Sequence, residues 1–310
     1  MQEQDGKVQS NWLQENRVMP LGYIETPGGQ IAVNVMNDVF TNYHFAKEEH
    51  WEELRKIVNI YIEGYASEYP QTTIETITGE ISVETQYIKF KTPNKKTDRQ
   101  DFKLIGKNIT YMELQNEPYV NPNLEERSAS YFGMGIAVAG GKTSNQIWLM
   151  AKDNSKLMHG NKYTYYVLSD ERTGKRHPNL SGIMFVSLTK ISREESLSGE
   201  LSMFLLGIET EIENFNHSDV KTIAKEVKKG FKIFKEDKEA TNMLSFAERK
   251  LSEGEARGEA RGRIEGKIEG KIEICHTVFG LSTKEIAKKL NMDENQVKSV
   301  LEKLGLVDAA

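Results

Sequence analysis

One cysteine, Cys275, is all that 310 residues contain. An intrachain disulfide is impossible and a CxxC zinc knuckle is excluded, which fits a reducing cytoplasm. Long apolar runs are also lacking. The longest, around Met134 to Ala139 and Ile183 to Leu188, fall far short of the ~20 residues that a membrane span needs. Met1 to Asn16 is polar and has no apolar h-region, so it does not read as a signal peptide. Positive charge is not in excess. The net charge is -5, so no global field advertises nucleic acid or an anionic membrane, and any DNA contact must use a local patch. The histidines, His44, His50, His159, His177, His217 and His276, show no spacing that suggests zinc.

What is present reads as an α/β layer arrangement followed by helices. Residues 1–36 mix Gly, Pro and Asn with short apolar pieces and read as an arm over the domain. Leu54, Ile57, Val58, Tyr61 and Tyr65 recur at helical spacing behind an acidic first turn, predicting a helix over about 46–66. Ile81 to Phe90 is β-branched and alternating, and a turn at Gly106-Lys107-Asn108 sets Asp101 to Leu104 against Ile109 to Gln115 as a hairpin. Leu124 to Ala139 has helical spacing and closes on Gly140-Gly141. Strands are expected at 146–150, 163–168 and 183–188, and helix beyond Arg193.

Glycines recur every four residues from Gly254 to Gly270 within a Glu-, Lys- and Arg-rich repeat. Each helix-interior Gly costs about 1 kcal/mol relative to Ala, whereas an i,i+4 ion pair returns only about 0.3 to 0.5 kcal/mol. This segment is expected to be either a charged, partly flexible connector or a helix whose glycine stripe lets a partner approach closely, as in a structural oligomer built on it. Beyond it, Ser282-x-x-Glu285 and Asp293-x-x-Gln296 are capping-box patterns that start two short helices, joined at Asn291-Met292. Thr283 to Leu301 resembles a helix-turn-helix. Its second helix opens with Asp293-Glu294, two negative charges where a reading helix meets the groove, which favours helix packing or oligomerisation over DNA reading.

The most informative positions lie in the hairpin. Strand alternation puts Glu113 and Gln115 on one face with Ile109 and Tyr111, and Met112 and Leu114 on the other. A short turn brings Asp101 opposite Glu113, giving two carboxylates near enough to share a divalent cation such as Mg²⁺. The same spacing also describes an edge hairpin with solvated polar ends. Gly140-Gly141-Lys142-Thr143 is not a P-loop, because Ile136 stands where the pattern needs glycine and the segment follows a helix.

An aspartate at a strand start, a hairpin and then Glu-x-Lys or Glu-x-Gln resembles the PD-(D/E)XK nuclease superfamily. The longer string resembles one branch, the Rpn family of recombination-promoting nucleases and transposases. The matching pieces are Asn37-Asp38-Val39-Phe40, Lys95-Lys96-Thr97-Asp98-Arg99-Gln100-Asp101, Tyr111-Met112-Glu113-Leu114-Gln115 and Glu126-Arg127-Ser128-Ala129-Ser130-Tyr131-Phe132, with the Gly-rich tail. The resemblance spans roughly 37–275. It implies a restriction-endonuclease-like core, a central mixed sheet flanked by helices, over 37–213. A helical extension would follow over 214–250, the repeat over 251–275 and a helix-turn-helix-like tail over 276–310.

The resemblance further implies a DNA endonuclease using Mg²⁺, with Mn²⁺ as a substitute. Asp101, Glu113 and the Leu114 carbonyl would be metal ligands, and Gln115 would be the catalytic partner where many relatives carry Lys. A neutral amide orients water but supplies no charge, leaving more of the activation to the metal. Lys95, Lys96, Arg99 and Arg127 are candidate phosphate contacts, with Lys103 and Lys107 beside them, and Tyr131 is a supporting residue. One of Glu49, Glu52 and Glu53 is a candidate extra carboxylate, although helix-dipole chemistry also explains acids in a first turn. The implied setting is cytoplasmic, with DNA as partner and a possible homodimer. The alternative is a nuclease-fold module of a mobile element that binds DNA or protein without catalysis.

Overall fold

The computed structural model describes residues 19–26, 29–85, 90–91, 97–98, 101–116, 123–177 and 182–306. In chain order its elements are β1 (Gly22–Thr26), β2 (Gly29–Val33), α1 (Asp38–Phe45), α2 (Trp51–Glu68), β3 (Ser82–Thr85), β4 (Phe90–Lys91), β5 (Thr97–Asp98), β6 (Phe102–Ile105), β7 (Ile109–Gln115) and α3 (Leu124–Val138). Then come β8 (Ser144–Met150), α4 (Ser155–Met158), β9 (Tyr163–Val167), β10 (Gly182–Ser187), α5 (Leu188–Ile191), α6 (Leu197–Leu206), α7 (Ser218–Glu236), α8 (Lys238–Thr277), α9 (Thr283–Leu290) and α10 (Glu294–Lys303). Two units result, 1–245 and 246–310.

The first unit is built on a six-stranded mixed sheet in the order β3-β6-β7-β8-β10-β9. β6 and β7 form the expected antiparallel hairpin, with Phe102 opposite Met112. β7 and β8 run parallel, with Glu113 opposite Trp148. Parallel neighbours need a crossover, and α3 supplies it, so one helix necessarily lies over the β7–β8 seam. β8 is buried along its whole length, as expected for a central strand covered on both faces.

The two faces carry different chemistry because side chains alternate. Met112, Ile147, Leu149, Met184 and Val186 join Leu54, Ile57 and Tyr61 of α2 and Leu201 and Phe204 of α6 in the main core. On the other face, Trp148, Met150, Ile183 and Phe185 pack with Leu124 and Tyr131 of α3. Tyr111, Glu113 and Gln115 share that second face, where α3 can reach them.

Several elements differ from the sequence expectation. The helix predicted over 46–66 begins at Trp51. It is preceded by a 3-10 turn at Glu48–His50 and by the separate helix α1, because Lys47 is extended and interrupts the helical path. Asn37 caps α1, its side chain accepting from the Phe40 N–H. The strand expected over 81–90 is described only as β3, and Phe90–Lys91 pairs instead with Thr97–Asp98 in a two-stranded sheet. The N-terminal stretch is more than a covering arm: β1 and β2 form a hairpin whose Ile24 and Val33 are buried in the core.

In the second unit, the end of α8 packs Ile272 and Cys275 against Ile286 and Ala287 of α9 and Val297 and Leu301 of α10. One of the two capping boxes expected there forms in full, and the other forms only its Asp293 half. Ser282 and Glu285 make a reciprocal capping box, and Asp293 accepts from the N–H groups of Asn295 and Gln296. The backbone of α8 is helical through the glycine repeat. Among the described residues no helix is long and apolar enough to cross a membrane.

Candidate functional site

β6 starts one residue after Asp101, so its hairpin register sets Asp101 opposite Glu113. The two are linked through the backbone. The Asp101 N–H donates to Glu113 Oε1 at 3.0 Å, and Asp101 Oδ2 accepts from the Leu114 N–H at 2.8 Å. That N–H lies beyond the end of β6 and has no strand to pair with, so an acceptor supplied from the Asp101 side chain satisfies it.

α3 closes the arrangement from above. Arg127 and Tyr131 are four residues apart and share a helix face. Arg127 Nη2 lies 3.0 Å from Glu113 Oε2, Nη1 donates to Gln115 Oε1 at 3.3 Å, and Nε donates to the Tyr131 hydroxyl at 3.3 Å. The guanidinium also sits 5.4 Å from the Tyr131 ring centroid and 5.3 Å from that of Trp148, in cation–π range. Nothing in the local sequence singles out Trp148. The signal for it is only the parallel register that puts it opposite Glu113, which a single strand pattern cannot show.

Glu113 is 1% exposed. Burial, and then the charge of Asp101, holds its carboxyl well above the usual carboxylate range against the pull of Arg127. Burial, with the charge of Asp38 next, pushes Asp101 up to about 7, opposed by its bond from the Leu114 N–H and by Arg127. Asp38, the first residue of α1, thus acts electrostatically on both carboxylates. Glu49 lies 3.5 Å from His50 and Glu52 pairs with Arg55, whereas Glu53 lies 3.9 Å from His50 with its Oε2 buried and without a hydrogen bond among the described residues. An acid that acts on the pair thus comes from α1, a helix the sequence pattern does not resolve.

Lys103 and Lys107 do not form a free basic patch, since they pair with Glu84 at 2.9 Å and Glu75 at 3.6 Å. Lys95, Lys96 and Arg99 lie outside the described residues. Arg127 is the candidate phosphate contact that the described structure brings to the pair.

Among the described residues no group of three or more His, Cys, Asp or Glu is arranged as a ready-made metal cluster. The donor chemistry of Asp101 and Glu113 nonetheless fits a hard dication. Magnesium usually takes one or two carboxylates and fills its other positions with water and substrate phosphate. Asp38 and Arg127 act on the pair in opposite directions, the first raising and the second lowering both carboxyls. Compared with known proteins, the chain matches no family model, no curated protein and no solved structure.

Proposed function

We propose that the first unit is a metal-dependent DNA endonuclease of the PD-(D/E)XK kind, similar to the Rpn recombination-promoting nucleases. The observation that carries this reading is the register that sets Asp101 against Glu113, with Gln115 two residues on and Arg127 bridging both. Asp101, Glu113 and the Leu114 carbonyl would hold Mg²⁺ or Mn²⁺. When bound, the metal supplies Lewis-acid stabilisation of charge on the scissile phosphate. The amide of Gln115 orients the attacking water, its oxygen already fixed by Arg127. Arg127, anchored by Tyr131 and Trp148, offers its guanidinium to phosphate. DNA is the substrate, and cytoplasmic operation and a homodimer belong to the same reading.

A second reading has one observation in its favour. Arg127 already satisfies Glu113 Oε2 and Gln115 Oε1, as it would in a non-catalytic nuclease-fold module that binds DNA or protein. Incubation of the purified chain with supercoiled plasmid under Mg²⁺, Mn²⁺, Ca²⁺ and EDTA separates the two. Nicking with Mg²⁺ or Mn²⁺ that is lost in Asp101→Ala supports the nuclease. Calorimetric titration showing no Mg²⁺ or Mn²⁺ site in the wild type would leave the binding module.

A further inference from the structure

The second unit has its own small core and its own solvent faces, and the way its acidic residues are used changes what those faces can bind. α9 and α10 have 8 and 10 residues, and three residues join them. Asn291 ends α9 in the left-handed region, at φ 54°, and turns the chain sharply. Ile286, Ala287, Val297 and Leu301 close the angle between the two helices, with Ile272 and Cys275 of α8 beneath them. A short helix, a three-residue turn and a second helix on a three-helix core is the geometry of a helix-turn-helix.

Two acids whose charge would oppose nucleic acid are occupied within the fold. The Asp293 carboxylate accepts the N–H groups of Asn295 and Gln296, and so lies against the positive end of α10. Glu285 accepts the N–H and hydroxyl of Ser282, which holds its carboxyl below the usual range. With Val297 and Leu301 turned inward, the outward side of the first turns of α10 presents Asn295, Gln296, Lys298 and Ser299, all exposed. These are the side-chain types that read base edges: amides for adenine, an amine for guanine, a hydroxyl for either. The outward side of α9 presents Lys284 and Lys288, also exposed and four residues apart, where the first helix of such a motif crosses the phosphate backbone. Glu302 shares this outward side, one turn beyond Lys298 and toward the C-terminal end of α10, while Glu294 sits on its flank, one turn before Lys298.

From this arrangement we infer that the second unit is a duplex-DNA reader, with α10 entering the major groove and Lys284 and Lys288 of α9 seated on phosphates. It uses no residue of the Asp101–Glu113 site and needs no metal. The chain therefore carries sequence preference on 282–303, apart from any cleavage chemistry.

The test uses the full-length chain in EDTA. A random-sequence duplex pool is enriched by rounds of binding, and fluorescence anisotropy then compares the enriched duplex with a scrambled one. The wild type should prefer the enriched duplex. The exposed double substitution Asn295→Ala with Lys298→Ala should remove that preference and raise Kd about tenfold or more. Lys284→Ala with Lys288→Ala should weaken both duplexes alike and reduce the salt slope by about one for each lysine replaced. Circular dichroism and light scattering on the same samples check fold and mass. Equal binding of the two duplexes by the wild type, or a preference that survives the α10 changes, overturns the proposal. So does a change of oligomeric mass in the α10 variant, which would make this face a protein contact. Because the assay excludes metal and the substitutions lie outside the core, these outcomes leave the nuclease reading to its own plasmid test.

Discussion

Asp101 and Glu113 hold each other from opposite strands: the Asp101 N–H donates to Glu113 Oε1 at 3.0 Å, while the Asp101 carboxylate takes the N–H of the residue after Glu113. Each carboxylate is thus positioned by the other's neighbourhood, and substitutions at either one should be read together.

If the pair holds a catalytic metal, Glu113→Gln keeps the side-chain shape and removes a charged ligand, so a folded protein with little plasmid nicking is expected. Gln115→Ala should cost less rate than either carboxylate change, since one water-orienting hydrogen bond is worth less than a metal ligand. Gln115→Lys should retain some activity. Nicking that survives both Asp101→Ala and Glu113→Gln, with contaminating nuclease excluded, would place the chemistry elsewhere.

Arg127 neutralises a buried carboxylate, so Arg127→Ala should destabilise the chain by more than a surface change. Losing one partner of a fully buried pair costs about 3–5 kcal/mol. Here the cost should fall below that, because the Arg127 side chain is 32% exposed. Adding Glu113→Gln should recover much of the loss. Urea unfolding of the two single variants and the double variant checks this, and additive losses would show that the ion pair contributes little.

The Asp101 carboxyl is raised from 3.8 to about 7. A carboxyl raised on folding contributes stability that is fully present below its unfolded value and lost as the pH rises through its folded value. In EDTA the stability of the wild type relative to Asp101→Asn should therefore fall between about pH 4 and 7, by at most about 1.4 kcal/mol per pH unit. Mg²⁺ should oppose the loss at the upper end. Parallel urea midpoints for the two proteins across that range would show that Asp101 does not titrate there.

His44 works in the opposite direction. Burial first, then His50 and Lys47, lowers it from 6.5 to about 3. It stacks on His50 with ring centroids 3.8 Å apart, and Gly230 of α7 leaves it space, since a Cβ there would lie 2.1 Å from His44 Nδ1. A histidine held neutral contributes stability above about pH 6.5 that is lost as the pH falls toward 3. His44→Leu should flatten the acid limb of a pH–stability curve. Gly230→Ala should destabilise by about 1–3 kcal/mol through overpacking, and an unchanged melting temperature would contradict this close approach.

Gly266 and Gly270 lie within α8, and a Cβ at either would meet nothing within 4 Å. Replacing each by Ala should stabilise the helix by about 1 kcal/mol, because Ala gives up less backbone entropy on folding. A melting temperature that rises in circular dichroism supports this. One that falls would mean the glycines are needed for a close approach.

Short-range patterns suffice for the elements whose determinants are local. The β6–β7 hairpin follows from alternation and the Gly106–Asn108 turn, α3 from its apolar spacing, and α9 and α10 from capping residues that bond within their own first turns. The order of helices and strands likewise suffices for an α/β layer arrangement. α1 escapes such patterns because its eight residues carry little periodic signal and its stability comes from Phe40 packing edge-on against Phe231 and Phe234, nearly two hundred residues away.

That Asp101 faces Glu113, and that Gln115 shares the Glu113 side of the strand, is legible in the chain alone, because period-two alternation and a short turn leave little choice. Their surroundings are a product of the folded arrangement. The parallel crossover puts Arg127 on Glu113 with Trp148 beneath it, the capped start of α1 brings the charge of Asp38 to both carboxylates, and Glu84 and Glu75 take Lys103 and Lys107 away from any shared basic patch. Those partners are distant in sequence. Their meeting depends on strand order, helix placement and burial, which no local spacing encodes.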